Sequence, residues 1–411
     1  MEEDAVTIRL LRTDDDYDAQ LDLAERAFGV KTAAERAVWR QQITPSIERG
    51  AYFGAFAGAR PAGAALFYDM RQWWCGRAVP MAGVSGVKIA PEDRGRGIGK
   101  RMMSALLDEI AARGFPLSAL YPATVPFYRT LGWEVAGGRY TAVFPARSLR
   151  SFVPADAALA AGTLREAGAQ GAPADLRRAG PDDAEAVIDV IGRAHEAARD
   201  CGPVTFDATT TAFRLSKPDM YTYLCDDGFA TYWWENGHDE LFVPGVRAVS
   251  AAALRALWSV IASHATIAET VRVWTGPADP VWWLAQERDG KMNRPWMWML
   301  RVVDAPAAIA ARGFPSAVTL DVPLIISDRD RPANSGSWML SVAGGKGELA
   351  SAAHDRTAPL LTLGARGLAA LYAGTPVASL RLAGLAAHGD RDADAALDAA
   401  FAANSYMLDG F

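Results

Sequence analysis

One stretch, Val87 to Trp133, constrains this chain more than any other. It reads Val87-Lys88-Ile89, a turn Ala90-Pro91-Glu92-Asp93, the basic glycine run Arg94-Gly95-Arg96-Gly97-Ile98-Gly99-Lys100, and then an amphipathic helix. A short strand follows through Leu117–Tyr121, and the stretch closes with Phe127-Tyr128-Arg129-Thr130-Leu131-Gly132-Trp133. A strand that turns through glycines into a helix makes an anion cradle. The first N–H groups of the helix have no intrahelical partner, and the dipole there is positive. Ile98, Met102, Leu106 and Ile110 recur every four residues, giving the helix one apolar face, and Gly114 and Pro116 stop it. Arg94, Arg96 and Lys100 add positive charge.

Spacing decides which phosphate ligand the cradle suits. A dinucleotide fingerprint needs G-x-G-x-x-G, but Gly99 arrives one residue too early after Gly95 and Gly97. A Walker loop fails because Arg94 and Arg101 occupy its first and last places. The run fits Arg-x-x-Gly-x-Gly through Arg94, Gly97 and Gly99, and so resembles the acetyl-CoA loop of the GNAT acetyltransferases.

At 411 residues the chain suits two or three domains of α/β (α+β) class. Half of it is hydrophobic and the net charge is −6, which speaks against a nucleic-acid surface and weakly favours a cationic substrate. Three scattered cysteines without a C-x-x-C pattern suit a reduced, cytoplasmic protein, and no apolar run reaches the length of a membrane span. The five histidines lack metal-ligand spacing, so no metal is expected.

A faint internal repeat is present. Ile8–Arg12, then Thr13-Asp14-Asp15-Asp16 and a helix, is echoed by Leu176–Arg178, then Gly180-Pro181-Asp182-Asp183 and a helix. The second copy has strands at Thr222–Leu224, Phe229–Trp234 and Val271–Thr275 and a helix capped by Ser250, but no glycine loop, so it should bind no CoA. The pairs Trp233-Trp234, Trp282-Trp283 and Trp296/Trp298 serve either packing or a substrate pocket. Pro154–Pro173 reads as a connector rich in Ala, Gly and Pro. From about Arg294 the pattern changes to a hairpin, Val318–Leu324 against Trp338–Val342, with helices at Gly367–Tyr372 and Asp390–Ala403 and an apolar tail, Tyr406 to Phe411.

The whole chain resembles the Eis (enhanced intracellular survival) family of bacterial aminoglycoside N-acetyltransferases. The resemblance rests on Arg94–Lys100 and Tyr128, on Arg301-Val302-Val303-Asp304-Ala305-Pro306, on the Trp338 strand and on Phe411. It implies an acetyltransferase fold over residues 1–150, a degenerate second copy over 174–293, and a sterol-carrier-like domain over 294–411 that delivers the chain terminus to the active site. It also implies a homohexamer of paired trimers.

The resemblance further implies that Val87, Lys88 and Ile89, the run Arg94, Gly95, Arg96, Gly97, Ile98, Gly99 and Lys100, and Ala123 and Thr124 hold acetyl-CoA. Tyr128 would protonate the departing thiolate, and the Phe411 α-carboxylate would accept the amine's proton. The expected acceptor is a polycation such as an aminoglycoside, in a wide acidic pocket between the first two domains. A protein- or peptide-lysine acetyltransferase, and a non-catalytic acyl or lipid carrier, stay open as alternatives.

Overall fold

The computed structural model describes residues 6–12, 14–152, 175–285, 290–352 and 360–411. The expected connector Pro154–Pro173 lies outside the described residues, as does Thr13 of the first expected helix cap.

The first unit opens with β1 (Val6–Leu10), α1 (Asp14–Phe28) and α2 (Ala33–Glu48), then the antiparallel run β2 (Tyr52–Ala57), β3 (Arg60–Trp74) and β4 (Arg77–Ile89). The helix α3 (Ile98–Ala112) returns the chain to β5 (Leu117–Leu120), parallel to β4. The short α4 (Val125–Arg129) leads to β6 (Glu134–Pro145). α3 forms where the four-residue periodicity placed it. Ile98, Met102, Met103, Leu106, Leu107 and Ile110 are all buried, against Phe67, Val84, Leu120 and Tyr128.

The repeat is visible at atomic level. Arg9 of β1 pairs with Asp16 at 2.6 Å, and Arg177 pairs with Asp183 at 2.6 Å, so in each copy a strand arginine clasps the acidic turn that starts the next helix. The second-copy strands Tyr221–Cys225, Gly228–Glu235 and Thr270–Thr275 form as expected, and Ser250 caps the helix Ala251–Ser263 by accepting from the Ala253 N–H at 3.2 Å.

The two copies share one 13-stranded sheet. Thr270–Thr275 lies antiparallel to β6, and Cys201–Phe206 branches onto β3. The strand Lys291–Val302 slots between β5 and β6, antiparallel to both. The expected boundary at 294 therefore falls inside a strand whose neighbours belong to the first unit. Trp298 is wholly buried on that strand beside Trp74, whereas Trp283 and Trp296 stand exposed.

The last unit is a five-stranded sheet. Its expected hairpin is Leu320–Ser327 against Gly336–Ala343, in register Leu324 to Trp338, and helices span Ala365–Tyr372 and Asp392–Phe401. Arg301 ties it to the first unit. Its guanidinium grips Asp328 with two 2.7 Å bonds and donates to the Leu131 carbonyl at 3.1 Å, all fully buried. The tail is held as its composition suggests. Met407 and Leu408 are buried, and the Met407 N–H donates to the Gly138 carbonyl at 3.0 Å.

Candidate active site

β4 and β5 pair only from Met81–Leu117 to Val84–Leu120. β5 ends there, while β4 runs on through Ser85 to Ile89 with no strand on that edge among the described residues. A bulge follows, since the β3 register slips between Ala64 and Leu66, and Gly86 takes a φ of +62°. Backbone groups of Val87–Ile89 are thereby left facing an open wedge, which an extended amide-bearing ligand can satisfy.

Side chains alternate along this strand. Val87 and Ile89 pack toward α3, and Lys88 turns to the opposite face. There its Nζ sits 2.9 Å from the Tyr52 hydroxyl and 5.9 Å from the Trp39 ring centroid. Burial, with a smaller push from Lys31, brings its pKa down to about 7. Only the backbone of Lys88 remains on the side of the wedge.

The glycine run ends at Gly97, the N-cap of α3, whose φ of +74° lies in the left-handed region that glycine tolerates and β-carbons resist. Among the described residues no side chain caps this helix, so the N–H groups of Ile98, Gly99 and Lys100 point outward; the first intrahelical bond is Arg101 N–H to Gly97 C=O, 3.1 Å. A β-carbon added at Gly95 or Gly97 would meet nothing within 4 Å. The space above the turn is open, and uncapped N–H groups with exposed Arg94 and Lys100 suit a pyrophosphate there. Arg96 is partly engaged elsewhere. It pairs with buried Asp93 at 2.8 Å, and Asp93 also binds Arg60 at 2.6 Å. Arg60 first, with Arg96 adding, holds the Asp93 carboxyl below the usual range.

Ala123 and Thr124 are exposed, with Thr124 as the N-cap of α4. Tyr128, on α4, packs between Phe127 (centroids 5.0 Å) and Trp133 (6.5 Å). Its hydroxyl has no hydrogen-bond partner among the described residues, and burial pushes its pKa up to about 12. It is therefore a phenol at any physiological pH, able to give a proton and unable to serve as a resting base.

The tail crosses both acetyltransferase copies. The Tyr406 N–H donates to the Cys201 carbonyl at 3.1 Å, the Tyr121 hydroxyl to the Asp409 carbonyl at 2.7 Å, and the Asp409 carboxylate pairs with Arg214 at 3.0 Å. The Phe411 ring lies 5.5 Å from Tyr121. It also rests over Gly83 of β4, where a β-carbon would come within 3.0 Å of it. Sequence reasoning identified the terminus but missed Tyr121 and Arg214, which hold it; neither carries a local signal.

Gly410 and Phe411 line a cavity of about 480 Å³ between α2 and the helix Ala208–Leu215 of the second copy. Tyr68, Phe206 and Phe213 give it apolar walls, and Gln41 and Gln42 add amides. The expected acidic pocket is not what stands here. Among the described residues its charged side chains are Arg49, Arg214 and Lys217, with no Asp or Glu, and Phe411 adds the α-carboxylate of the chain. The nearby carboxylates are bound instead, Asp207 by Arg49 at 2.6 Å and Asp409 by Arg214. None of the paired tryptophans lines it.

A mixed sheet parting beside an uncapped glycine-turn helix is the architecture of the GCN5-related acetyltransferases. Models of the acetyltransferase (GNAT) domain match residues 7–136 and 208–302, and a sterol carrier protein domain matches 305–408. The class is thus a tandem acetyltransferase with a sterol-carrier-type domain.

A crystal structure of a GCN5-related N-acetyltransferase from Kribbella flavida is 40% identical and superposes with a TM-score of 0.90, over 100% of this chain and 99% of that one. An uncharacterized N-acetyltransferase of Streptomyces griseus is 30% identical, with 73% of each chain covered. N-acetyltransferase Eis of Mycobacterium tuberculosis is 28% identical, over 78% of this chain and 80% of its own. The chain belongs to the Eis family of N-acetyltransferases, and it is an enzyme of that kind.

Proposed function

We propose that the protein moves the acetyl group of acetyl-CoA to a primary amine of a small molecule by direct attack. The observation that carries this is the wedge left where β4 outlasts β5, with the uncapped start of α3 at its mouth. In this reading backbone groups of Val87–Ile89 receive the pantetheine arm, with Ala123 and Thr124 beside it. Residues Gly95 to Lys100, with Arg94, receive the pyrophosphate. The amine nitrogen bonds to the thioester carbon, the carbon–sulfur bond breaks, Tyr128 protonates the thiolate, and the Phe411 α-carboxylate takes the proton lost by the amine. The catalytic unit comprises residues 1–150, with the strand Lys291–Val302 completing its sheet.

The test is release of CoA thiol from acetyl-CoA across a panel of primary amines. Release with at least one amine supports the reading; a panel that releases none overturns it in favour of a carrier. The aminoglycoside acceptor implied by the family resemblance belongs in that panel, although among the described residues no Asp or Glu lines the cavity to receive its several ammonium groups. Lysine peptides provide the other arm. For the homohexamer the support is apolar surface, with Trp283 74% and Trp296 55% exposed, and a mass measurement in solution decides it.

A further inference from the structure

The junction cavity carries a charge pattern that the family's substrate does not explain. Arg49 and Arg214 are each neutralised by a carboxylate, Asp207 and Asp409. Lys217 is not. It is half-buried at the end of the helix Ala208–Leu215, makes no ion pair within 4.0 Å among the described residues, and has its ammonium 5.6 Å from the Phe213 ring centroid. Burial and the neighbouring Arg214 both weigh against its charged form, and Asp219 only partly offsets them. A half-buried cation beside a second cation, with Asp219 acting only from beyond ion-pairing distance and the Phe411 α-carboxylate reserved for the amine in the reading above, is an incomplete pair. Phe206, Phe213 and Tyr68 surround it with aromatic surface.

We propose that the acceptor is an amphoteric amine: a primary amine on an apolar, aromatic-sized body that carries one anionic group, carboxylate or phosphate, to be received by Lys217. This rests on the acetyltransferase reading above and deepens it. An anion from the substrate completes the Lys217 pair, and the apolar body fills the aromatic walls. The amine end, which when protonated has the same sign of charge as Lys217, is repelled from it and so is oriented away. A polycation has the reverse relation to this lining: the Phe411 α-carboxylate receives one ammonium, and every further one meets Lys217 or an arginine already matched to its own carboxylate. Hydrogen-bonding amides at Gln41 and Gln42 suit either acceptor and do not discriminate.

The experiment uses the full-length enzyme and four probes: 4-(aminomethyl)benzoate, (4-aminobenzyl)phosphonate extended to its aminomethyl homologue, benzylamine as the uncharged-body control, and kanamycin. Thiol release gives kcat/KM for each, and calorimetry with 3-phenylpropionate, which has no amine, reads anion binding alone. The expected result is a kcat/KM at least tenfold higher for one of the two anionic amines than for benzylamine or kanamycin. The carboxylate and phosphonate arms identify the anion. Lys217→Gln should lower that ratio tenfold or more, mainly through KM, and Lys217→Glu should reverse it. In the same variants 3-phenylpropionate binding should be lost.

Kanamycin or benzylamine outpacing both anionic amines overturns the inference while leaving the acetyltransferase intact. So does a preference for anionic amines that survives Lys217→Glu. Binding of 3-phenylpropionate through Lys217 with no thiol release from any amine overturns the acetyltransferase reading and leaves the anion site standing. Absence of both binding and release overturns the two together.

Discussion

The Tyr121 hydroxyl donates a 2.7 Å hydrogen bond to the carbonyl of Asp409, two residues before the end of the tail. Tyr121 follows β5 directly, so this bond ties the tail to the strand beside the β4–β5 wedge. Tyr121→Phe keeps the ring contact with Phe411 and removes the hydroxyl, with its bond to Asp409 and its weaker interaction with Arg139. Unfolding stability should fall by about 1 kcal/mol, a typical net hydrogen-bond contribution. Turnover should fall more than that stability loss explains if tail position matters to catalysis. Urea titration and steady-state kinetics on the same preparation separate the two effects.

Adding a single glycine after Phe411 tests the proposed base without disturbing any anchoring side chain. The carboxylate moves by roughly 3.5 Å, one residue's reach. Activity should drop by about tenfold or more with the melting temperature unchanged, as expected when a positioned base is displaced. Full activity in the extended chain would remove the carboxylate from the mechanism.

Tyr128→Phe leaves the packing against Phe127 and Trp133 in place while deleting the proton donor. Turnover should decline by about 10²–10⁴, with acetyl-CoA affinity nearly intact. Because burial raises the Tyr128 pKa to about 12, the wild-type rate should show no alkaline limb from this group below that value. A variant with normal specific activity and a lower melting temperature would make Tyr128 a packing residue only.

Arg94 and Arg96 should behave differently. Arg94 has no ion pair among the described residues, and its removal should weaken acetyl-CoA binding by about 1.5–3 kcal/mol, the worth of a hydrogen bond to a charged group, with stability unchanged. Arg96→Ala also releases one of the two arginines on buried Asp93, so it should add a measurable stability loss. Calorimetry and thermal melts on each single variant check both, and equal effects on binding and stability from the two would contradict this division.

Lys88 gives a pH signature. Its folded pKa is lowered to about 7 from 10.5, so the folded state prefers the neutral amine. Below about pH 7 both folded and unfolded chains are protonated and the burial penalty is present in full. Between there and the unfolded value only the unfolded chain holds the proton, so stability rises with pH across that window. Lys88→Met should therefore be more stable than the parent near pH 6.5 by a few kcal/mol, on the order of one pKa unit per ~1.4 kcal/mol. The gap should narrow steadily toward about pH 10. Urea unfolding at three pH values measures it; a constant gap would mean that Lys88 is charged or neutral alike in both states.

Much of the site was legible because its signals are local. The Arg94–Lys100 spacing pointed to the turn and the four-residue apolar repeat to α3, whereas the face to which Lys88 turns was not read from the sequence. Long-range relations were not legible. Nothing in Lys291–Val302 says that its partners lie at Leu117–Leu120 and Glu134–Pro145, because strand pairing over such separation leaves no mark on composition. The cavity's charge was misread for a related reason. A net charge of −6 is a sum over the whole chain, whereas Asp207 and Asp409 near the cavity are already bound to Arg49 and Arg214.

The strand Lys291–Val302 also sets an order of events during synthesis. β5 and β6 flank a gap that only a segment made about 150 residues after β6 can fill, which at translation speeds of roughly 5–20 residues per second means waiting on the order of ten seconds. Until then two strand edges at the centre of the sheet stay open on the ribosome. The nascent enzyme is thus most exposed to mispairing in the middle of its own translation, and a fragment ending before Lys291 should need a chaperone to stay in solution.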